Sequence, residues 1–131
     1  MKPLLSVGGR LSESQRRLAT DGAALLAVDR DGSGLKVLAD AVPAIEPVIC
    51  NLSDLAAVDA LPAAVDVLVN NAGLQHVAPL PDFDPDRFSL ILRVTLEAPF
   101  RLARRILSHM YRRGWAGWSI SQARTAAGKP I

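Results

Sequence analysis

Cysteine, tyrosine, histidine and lysine are all scarce in this 131-residue chain: Cys50, Tyr111, two histidines and Lys2, Lys36 and Lys129. A single cysteine excludes an internal disulfide and fits a reducing compartment. One cysteine and two histidines in unrelated contexts exclude a zinc-type cluster. No apolar run approaches the roughly 18 residues a membrane helix requires, and the N-terminus has no signal-type apolar stretch. The expectation is a cytoplasmic protein without a membrane partner. Aromatics make up only 5%, so the core must be built from Ala, Leu and Val, within a hydrophobic share of 50%. A chain of this length forms one domain and buries roughly two-thirds of its unfolded surface.

Charge excludes little. The formal net charge is +2, and most of the arginines fall between positions 87 and 113 at helical spacing. A solvated helix face accounts for them better than nucleic-acid binding, because no aromatic platform or nucleic-acid motif accompanies them.

What is present alternates. Leu4–Val7, Ala24–Val28, Pro47–Cys50 and Val65–Asn70 read as strands. Helical patterns lie between them: one from Ser12 to Ala19 or Thr20, one over Leu35–Val42, and a short turn from Ser53. A Pro-rich loop over 74–84 leads to the longest helix, starting at Asp84 or Asp86 and running to Arg113, with a bend at Pro99. Its apolar positions Phe88, Ile91, Leu92, Leu96, Phe100, Ala103, Ile106, Leu107 and Met110 recur at three and four, which predicts a core face. Strand–helix alternation of this kind predicts an α/β fold with a doubly wound parallel sheet.

The most informative stretch is residues 67–77, Val-Leu-Val-Asn-Asn-Ala-Gly-Leu-Gln-His-Val. An apolar run stops at Asn70-Asn71-Ala72-Gly73, as though a buried strand delivered two amides and a glycine to a crevice. Open α/β sheets bind ligands at that edge. An Asn-rich turn accounts for the same letters without any ligand. Spacing alone leaves the two readings level.

The wording of VNNAG resembles the strand-four motif of short-chain dehydrogenases/reductases. LLAVDRDGSGL (25–35) resembles that family's second strand and turn, and DRFSLILRVTLEAPFRLARRILSHMYRRGW (86–115) its long fifth helix. Within the family, NNAGLQHVAP and HMYRRGW are most similar to bacterial D-3-hydroxybutyrate dehydrogenases. The resemblance covers roughly residues 18–117. It implies the N-terminal half of a Rossmann-like fold, one partial NAD(P)-binding domain over 1–131, with 118–131 a divergent tail.

That resemblance implies NAD as cofactor. Asp29 at the end of the second strand would accept from both adenosine ribose hydroxyls and repel a 2′-phosphate, a preference Arg30 would soften. Without the resemblance Asp29 reads as a turn-former. Asn71, Ala72 and Gly73 would line the adenine and ribose wall. Asn51 stands where the family has Asp against the adenine amine, and is expected to accept there through its amide oxygen. The glycine turn departs from Thr-Gly-x-x-x-Gly-x-Gly: one alignment places Leu5, Gly9 and Leu11 at the glycine positions, keeping only Gly9. A second register makes Leu4–Val7 the strand and Gly8-Gly9 the turn. The sequence leaves both open.

On the substrate side the resemblance assigns Gln75 to a substrate carboxylate; an exposed loop amide is an equal reading. It gives His76 no acid/base role. The family's Tyr-x-x-x-Lys is missing, since Trp115 stands four residues after Tyr111. The catalytic Asn of the fifth helix falls at Thr95, and Ser121 has no base beside it. No catalytic residue is assigned. The expectation is a truncated homologue, inactive alone, that forms a homo-oligomer or joins a full-length relative. A non-catalytic interaction module acting through helix 86–113 is the alternative.

Overall fold

A computed structural model of the protein describes residues 4–8, 13–74, 76–114 and 117–120. Five strands, β1 (Leu4–Val7), β2 (Leu25–Asp29), β3 (Ile45–Ile49), β4 (Val67–Asn70) and β5 (Gly117–Ile120), form one sheet in the order β3-β2-β1-β4-β5. Every neighbouring pair is parallel. The helices are α1 (Glu13–Thr20), α2 (Gly32–Ala41), α3 (Leu55–Asp59), α4 (Pro85–Leu92) and α5 (Ala98–Arg112). The chain runs outward from β1 to β3, then returns past β1 to β4 and β5. This is the α/β, Rossmann-like doubly wound sheet, and its switch point lies between β1 and β4.

Side-chain alternation along the strands builds two cores. Leu5, Val7, Val28 and Leu68 point to the face covered by α3 and α5, meeting Val58, Leu61, Ala98, Leu102, Ile106 and Met110. Leu4, Leu25, Ala27, Ile45 and Val69 point the other way, to Ala19 of α1 and Leu35 of α2. Strands buried on both faces read as continuous apolar runs, which is why the sequence locates them within two residues. Pro47 sits inside β3 opposite Ala27. It is tolerated there because β3 is an edge strand, where a missing N–H need not face a neighbour.

Helix starts follow side-chain chemistry. Asp31 accepts from the Gly34 amide at 3.1 Å, Asp54 from Ala57 at 3.2 Å and Asp84 from Asp86 at 3.0 Å. Each satisfies one of the orphan donors of its first turn. Pro85 occupies the first position of α4, where a missing N–H costs nothing.

The long helix differs from its expected form. A π-helical turn over Arg93–Glu97 separates α4 from α5, and the Ala98 amide donates to the Arg93 carbonyl, one residue further back than in an α-helix. The extra residue rotates everything downstream by about 100° relative to α4. The buried stripe is Val94, Ala98, Leu102, Ile106 and Met110, so Ile106 and Met110 lie in the core as expected. Phe88, Leu92, Leu96 and Phe100, expected in the core, are exposed. A 3-10 turn over Leu80–Asp82 interrupts the Pro-rich loop.

The arginines of this helix do more than face water. Arg105 donates to the carbonyls of Leu61 at 2.9 Å and Val58 at 3.3 Å, at the carboxyl end of α3. Arg101 pairs with Asp59 at 2.7 Å, and Arg93 reaches the Ser53 carbonyl at 3.4 Å. Together they fasten α5 and the π turn to α3. Arg113 lies 3.5 Å from the buried carboxylate of Asp66, just ahead of β4. Beyond α5, β5 pairs with β4 from Val67↔Gly117 to Asn70↔Ile120. The segment from 118 therefore opens inside the sheet. Parallel pairing uses backbone groups alone, so an unfamiliar side-chain pattern does not forbid it.

Candidate functional site

The carboxyl ends of β1 to β4 converge on a cavity of about 180 Å³ lined by Gly8, Asp29, Asn51, Asn71, Ala72 and Gly73, with Val28, Arg30, Cys50, Leu52, Ser53, Leu74, Leu90 and Val94 completing the wall. Five of the sequence-assigned positions, Asp29, Asn51, Asn71, Ala72 and Gly73, thus meet in one place. Gly9 and Gln75 lie outside the described residues.

At the switch point the strand of the second register holds, since Leu4–Val7 is β1. Leu5 is fully buried in the middle of β1 and cannot be a turn position, and Gly8 follows the strand directly. Gly8 has φ +113, and a Cβ there would stand 2.7 Å from the Asn71 carbonyl carbon and from the Ala72 amide nitrogen. Only glycine fits both the dihedral and the space. The Asn71 amide donates to the Val7 carbonyl at 2.8 Å, which carries the β1–β4 ladder up to the cavity rim.

Asp29 is oriented by its own turn. One carboxylate oxygen, Oδ1, accepts from the Arg30 amide at 2.7 Å and, more weakly, from Asp31 at 3.4 Å. The other oxygen remains available to hydroxyl donors. Turn-former and cavity acceptor are therefore compatible roles in one side chain. The Cys50 amide donates to the Asp29 carbonyl at 2.9 Å, which locks the ends of β2 and β3 together. Burial, with the Asp54 carboxylate second, pushes the Cys50 thiol above its ordinary range and keeps it protonated.

Asn51 departs from expectation. Its Oδ1 accepts from the Ser53 amide at 3.0 Å and from the Ser53 hydroxyl at 2.8 Å. A backbone N–H can only donate, so the oxygen must face Ser53, and both of its lone pairs are engaged. The expected acceptor is consumed within the turn. Asn favours an Asx turn onto the backbone two residues on, but its place in the sequence does not fix that the turn forms or that the Ser53 hydroxyl joins it.

The residues expected near catalysis lie elsewhere. Thr95 bonds back to the Ile91 carbonyl at 2.5 Å and, with Asn70, lines a different cavity of about 460 Å³ between β4 and α5. Tyr111 is exposed in the last turn of α5, and Lys36 lies on α2. A third cavity, about 650 Å³, lies under the loop before α4, where His76 packs edge-on to Phe83 at 5.2 Å and Phe83 to Phe88 at 6.3 Å. Among the described residues, no helix is long and apolar enough to cross a membrane.

Residues 12–119 match the short chain dehydrogenase family. D-beta-hydroxybutyrate dehydrogenase of Cupriavidus necator is 44% identical over 50 residues, which are 38% of this chain and 19% of that protein. 2-Keto-3-deoxy-L-fuconate dehydrogenase of Xanthomonas campestris is 32% identical over 105 residues, 78% of this chain and 35% of its own length. Among solved structures, a gluconate 5-dehydrogenase from Burkholderia cenocepacia in complex with NADP and tartrate is 32% identical, with a TM-score of 0.74. That match covers 91% of this chain and 52% of the other. The chain thus spans about half the length of that solved relative, and less than half of the two curated ones. By its matched sequence and its sheet, the chain belongs to the short chain dehydrogenase family.

Proposed function

We propose that this chain is a short chain dehydrogenase homologue matching about half the length of its solved relative, an NAD-dependent oxidoreductase by descent with 3-hydroxybutyrate-type relatives, cytoplasmic, and inactive alone. The observation that carries the nucleotide reading is the meeting of Asp29, Asn51, Asn71, Ala72 and Gly73 in one cavity at the switch point. The donor set fits the nucleoside half of the cofactor. Asp29 offers a fixed carboxylate to a ribose diol, and Val28, Leu52, Ala72 and Leu90 offer apolar wall to a base. A carboxylate there disfavours a 2′-phosphate, and Arg30 beside it moderates that preference. The substrate class rests on the short match to the Cupriavidus necator enzyme and on Gln75.

NAD, when bound, supplies the hydride acceptor. Moving the accompanying proton requires a general acid/base of tuned pKa near the reacting carbon. Tyr111 has no lysine one turn away and lies on the exposed face of α5, and Thr95 spends its hydroxyl on the helix backbone. Incubation of the purified chain with NAD and D-3-hydroxybutyrate should give no NADH absorbance, while calorimetry with NAD should show weak binding. Substrate-dependent turnover would overturn the inactivity. Absence of any NAD or nucleotide binding would overturn the cofactor reading.

A second reading is favoured by one observation: Phe88, Leu92, Leu96 and Phe100 stand exposed at intervals of four along α4 and α5. Such a stripe fits an interaction module, self-associating or joined to a full-length relative. Light scattering on a size-exclusion column should then report a mass above one chain. A clean monomer that binds no relative would remove this reading.

A further inference from the structure

The two edges of the sheet differ in what they offer a neighbouring strand. β3 closes one edge, and its exposed Glu46 and Pro47 add a charge and remove an N–H, two devices that keep a further strand from joining. β5 forms the other edge among the described residues, and its Gly-Trp-Ser-Ile sequence contains neither charge nor proline. The backbone N–H and C=O groups that β5 does not share with β4 point outward, where another strand can take them. The helix face beside this edge is also open. α3 flanks α5 on one side, through Arg101 and Arg105. On the other side lies the apolar cavity of about 460 Å³, between Leu68 and Asn70 of β4 and Leu96, Phe100 and Leu107 of the long helix. Charge is polarised along that helix. Asp82, Asp84 and Asp86 stand exposed at its start, with Arg87 the exception, and Arg104 and Arg112 stand exposed toward its end. Between them Glu97 is already engaged by Arg101.

We infer that the β5 edge is an interface for a second copy of this chain, which adds its own β5 antiparallel and extends the five-stranded sheet to ten strands. The inference rests on reading the chain as an interaction module, and it fixes both the partner and the surface. A twofold axis perpendicular to the sheet pairs the same four residues of each copy and keeps both α5 helices on one face. β4 and its counterpart then stand three strand spacings apart, about 14 Å. Helices lying over them are somewhat beyond the roughly 8–10 Å of direct packing, so the two Leu96–Phe100 stripes project into the gap and cover the seam. The helices run antiparallel there, which sets the acidic start of each toward the basic end of the other. That complementarity favours a second copy over an unrelated apolar partner, and antiparallel over parallel docking.

The test uses the full chain. Light scattering should give the mass of two chains. Hydrogen exchange, read residue by residue by NMR, then locates the seam without depending on any variant. Successive residues of a strand point their N–H groups to opposite edges, so pairing with β4 alone protects only alternate amides of Gly117–Ile120. In the dimer all four should exchange slowly. Asp86→Arg and Arg112→Glu alter exposed side chains, and each should weaken the dimer roughly threefold to tenfold by setting like charges together. The double variant should restore it. A dimer in which alternate amides of β5 exchange freely, or one that the double variant fails to restore, would overturn the β5 pairing and leave an interaction module that uses another surface. A monomer that still captures a full-length relative would do the same. A monomer that binds no relative would remove this inference and the interaction reading together.

Discussion

Gly8 and Asn71 approach so closely that a side chain on the first has no room: a Cβ on Gly8 would lie 2.7 Å from the Asn71 carbonyl carbon and 2.8 Å from its oxygen. The contact joins the end of β1 to the end of β4 at the point where the sheet changes direction. It sets the shape of the cavity rim from backbone alone. Fold and site therefore share one constraint.

Gly8→Ala should be strongly destabilising for two reasons that add. The residue has φ +113, which an L side chain rarely adopts, and the new methyl meets backbone that cannot swing aside. Strain and overpacking together should cost about 2–4 kcal/mol. Urea unfolding followed by circular dichroism should show the midpoint falling with little change in slope. A variant within about 0.5 kcal/mol of the parent would mean that β1 and β4 separate freely at their ends.

The arginines of α5 should differ sharply in weight. Arg105 is half-buried and donates to two carbonyls at the end of α3; Arg105→Met takes the donor from the Leu61 carbonyl, while the Val58 carbonyl keeps the Leu61 amide, and should cost about 1–3 kcal/mol. Arg101 makes a shorter contact, 2.7 Å to Asp59, yet both partners are well exposed. Arg101→Met should cost about 0–1 kcal/mol, because water screens the pair. Thermal unfolding of the two variants side by side checks the order. Equal losses would mean that distance, rather than burial, decides.

Burial also decides what could be read from sequence. The strands were legible because β1, β2 and β4 are buried on both faces, and a continuous apolar run such as Val67–Val69 is what a strand covered on both sides requires. Asp29, Asn51 and Asn71 could be grouped from sequence because parallel strands deliver their ends to one edge. The helix face was legible only in part: Ile106 and Met110 are buried as expected, with Ala103 and Leu107 against the same core, whereas Phe88, Leu92, Leu96 and Phe100 are exposed. Apolar residues form two adjacent stripes along α4 and α5, and a π turn that no local residue announces decides which stripe is inside. Asn51 was legible in place but not in polarity, since that depends on the two hydrogen bonds from Ser53. The glycine alignment through Leu5 failed because it counted family spacing, whereas the sheet register fixes Leu5 opposite Leu26 and Leu68.

The exposed stripe gives a prediction that separates folding from association. Leu96 and Phe100 are 64% and 66% exposed, so Leu96→Lys with Phe100→Lys removes little buried surface. The unfolding midpoint should stay within about 0.5 kcal/mol of the parent for each change. Any self-association seen by light scattering should disappear in the double variant. Retained association would place the interface elsewhere.

Cys50 supplies the pH dependence. Its thiol is pushed upward by burial, then by Asp54, so the folded chain holds the proton more tightly than the unfolded chain does. Above the ordinary thiol pKa the unfolded state therefore binds fewer protons, and stability must fall as pH rises toward the folded-state value. Below the ordinary thiol pKa both states are protonated and the group contributes no slope. Denaturation midpoints measured from about pH 7 to 10 should decline at the alkaline end, and Cys50→Ala should flatten that part of the decline. Iodoacetamide at about pH 8 should label Cys50 far more slowly in the folded chain than in urea, since the thiolate is the reacting species. Equal labelling rates would mean that the end of β3 opens readily and that the cavity wall beside Asn51 is not held shut.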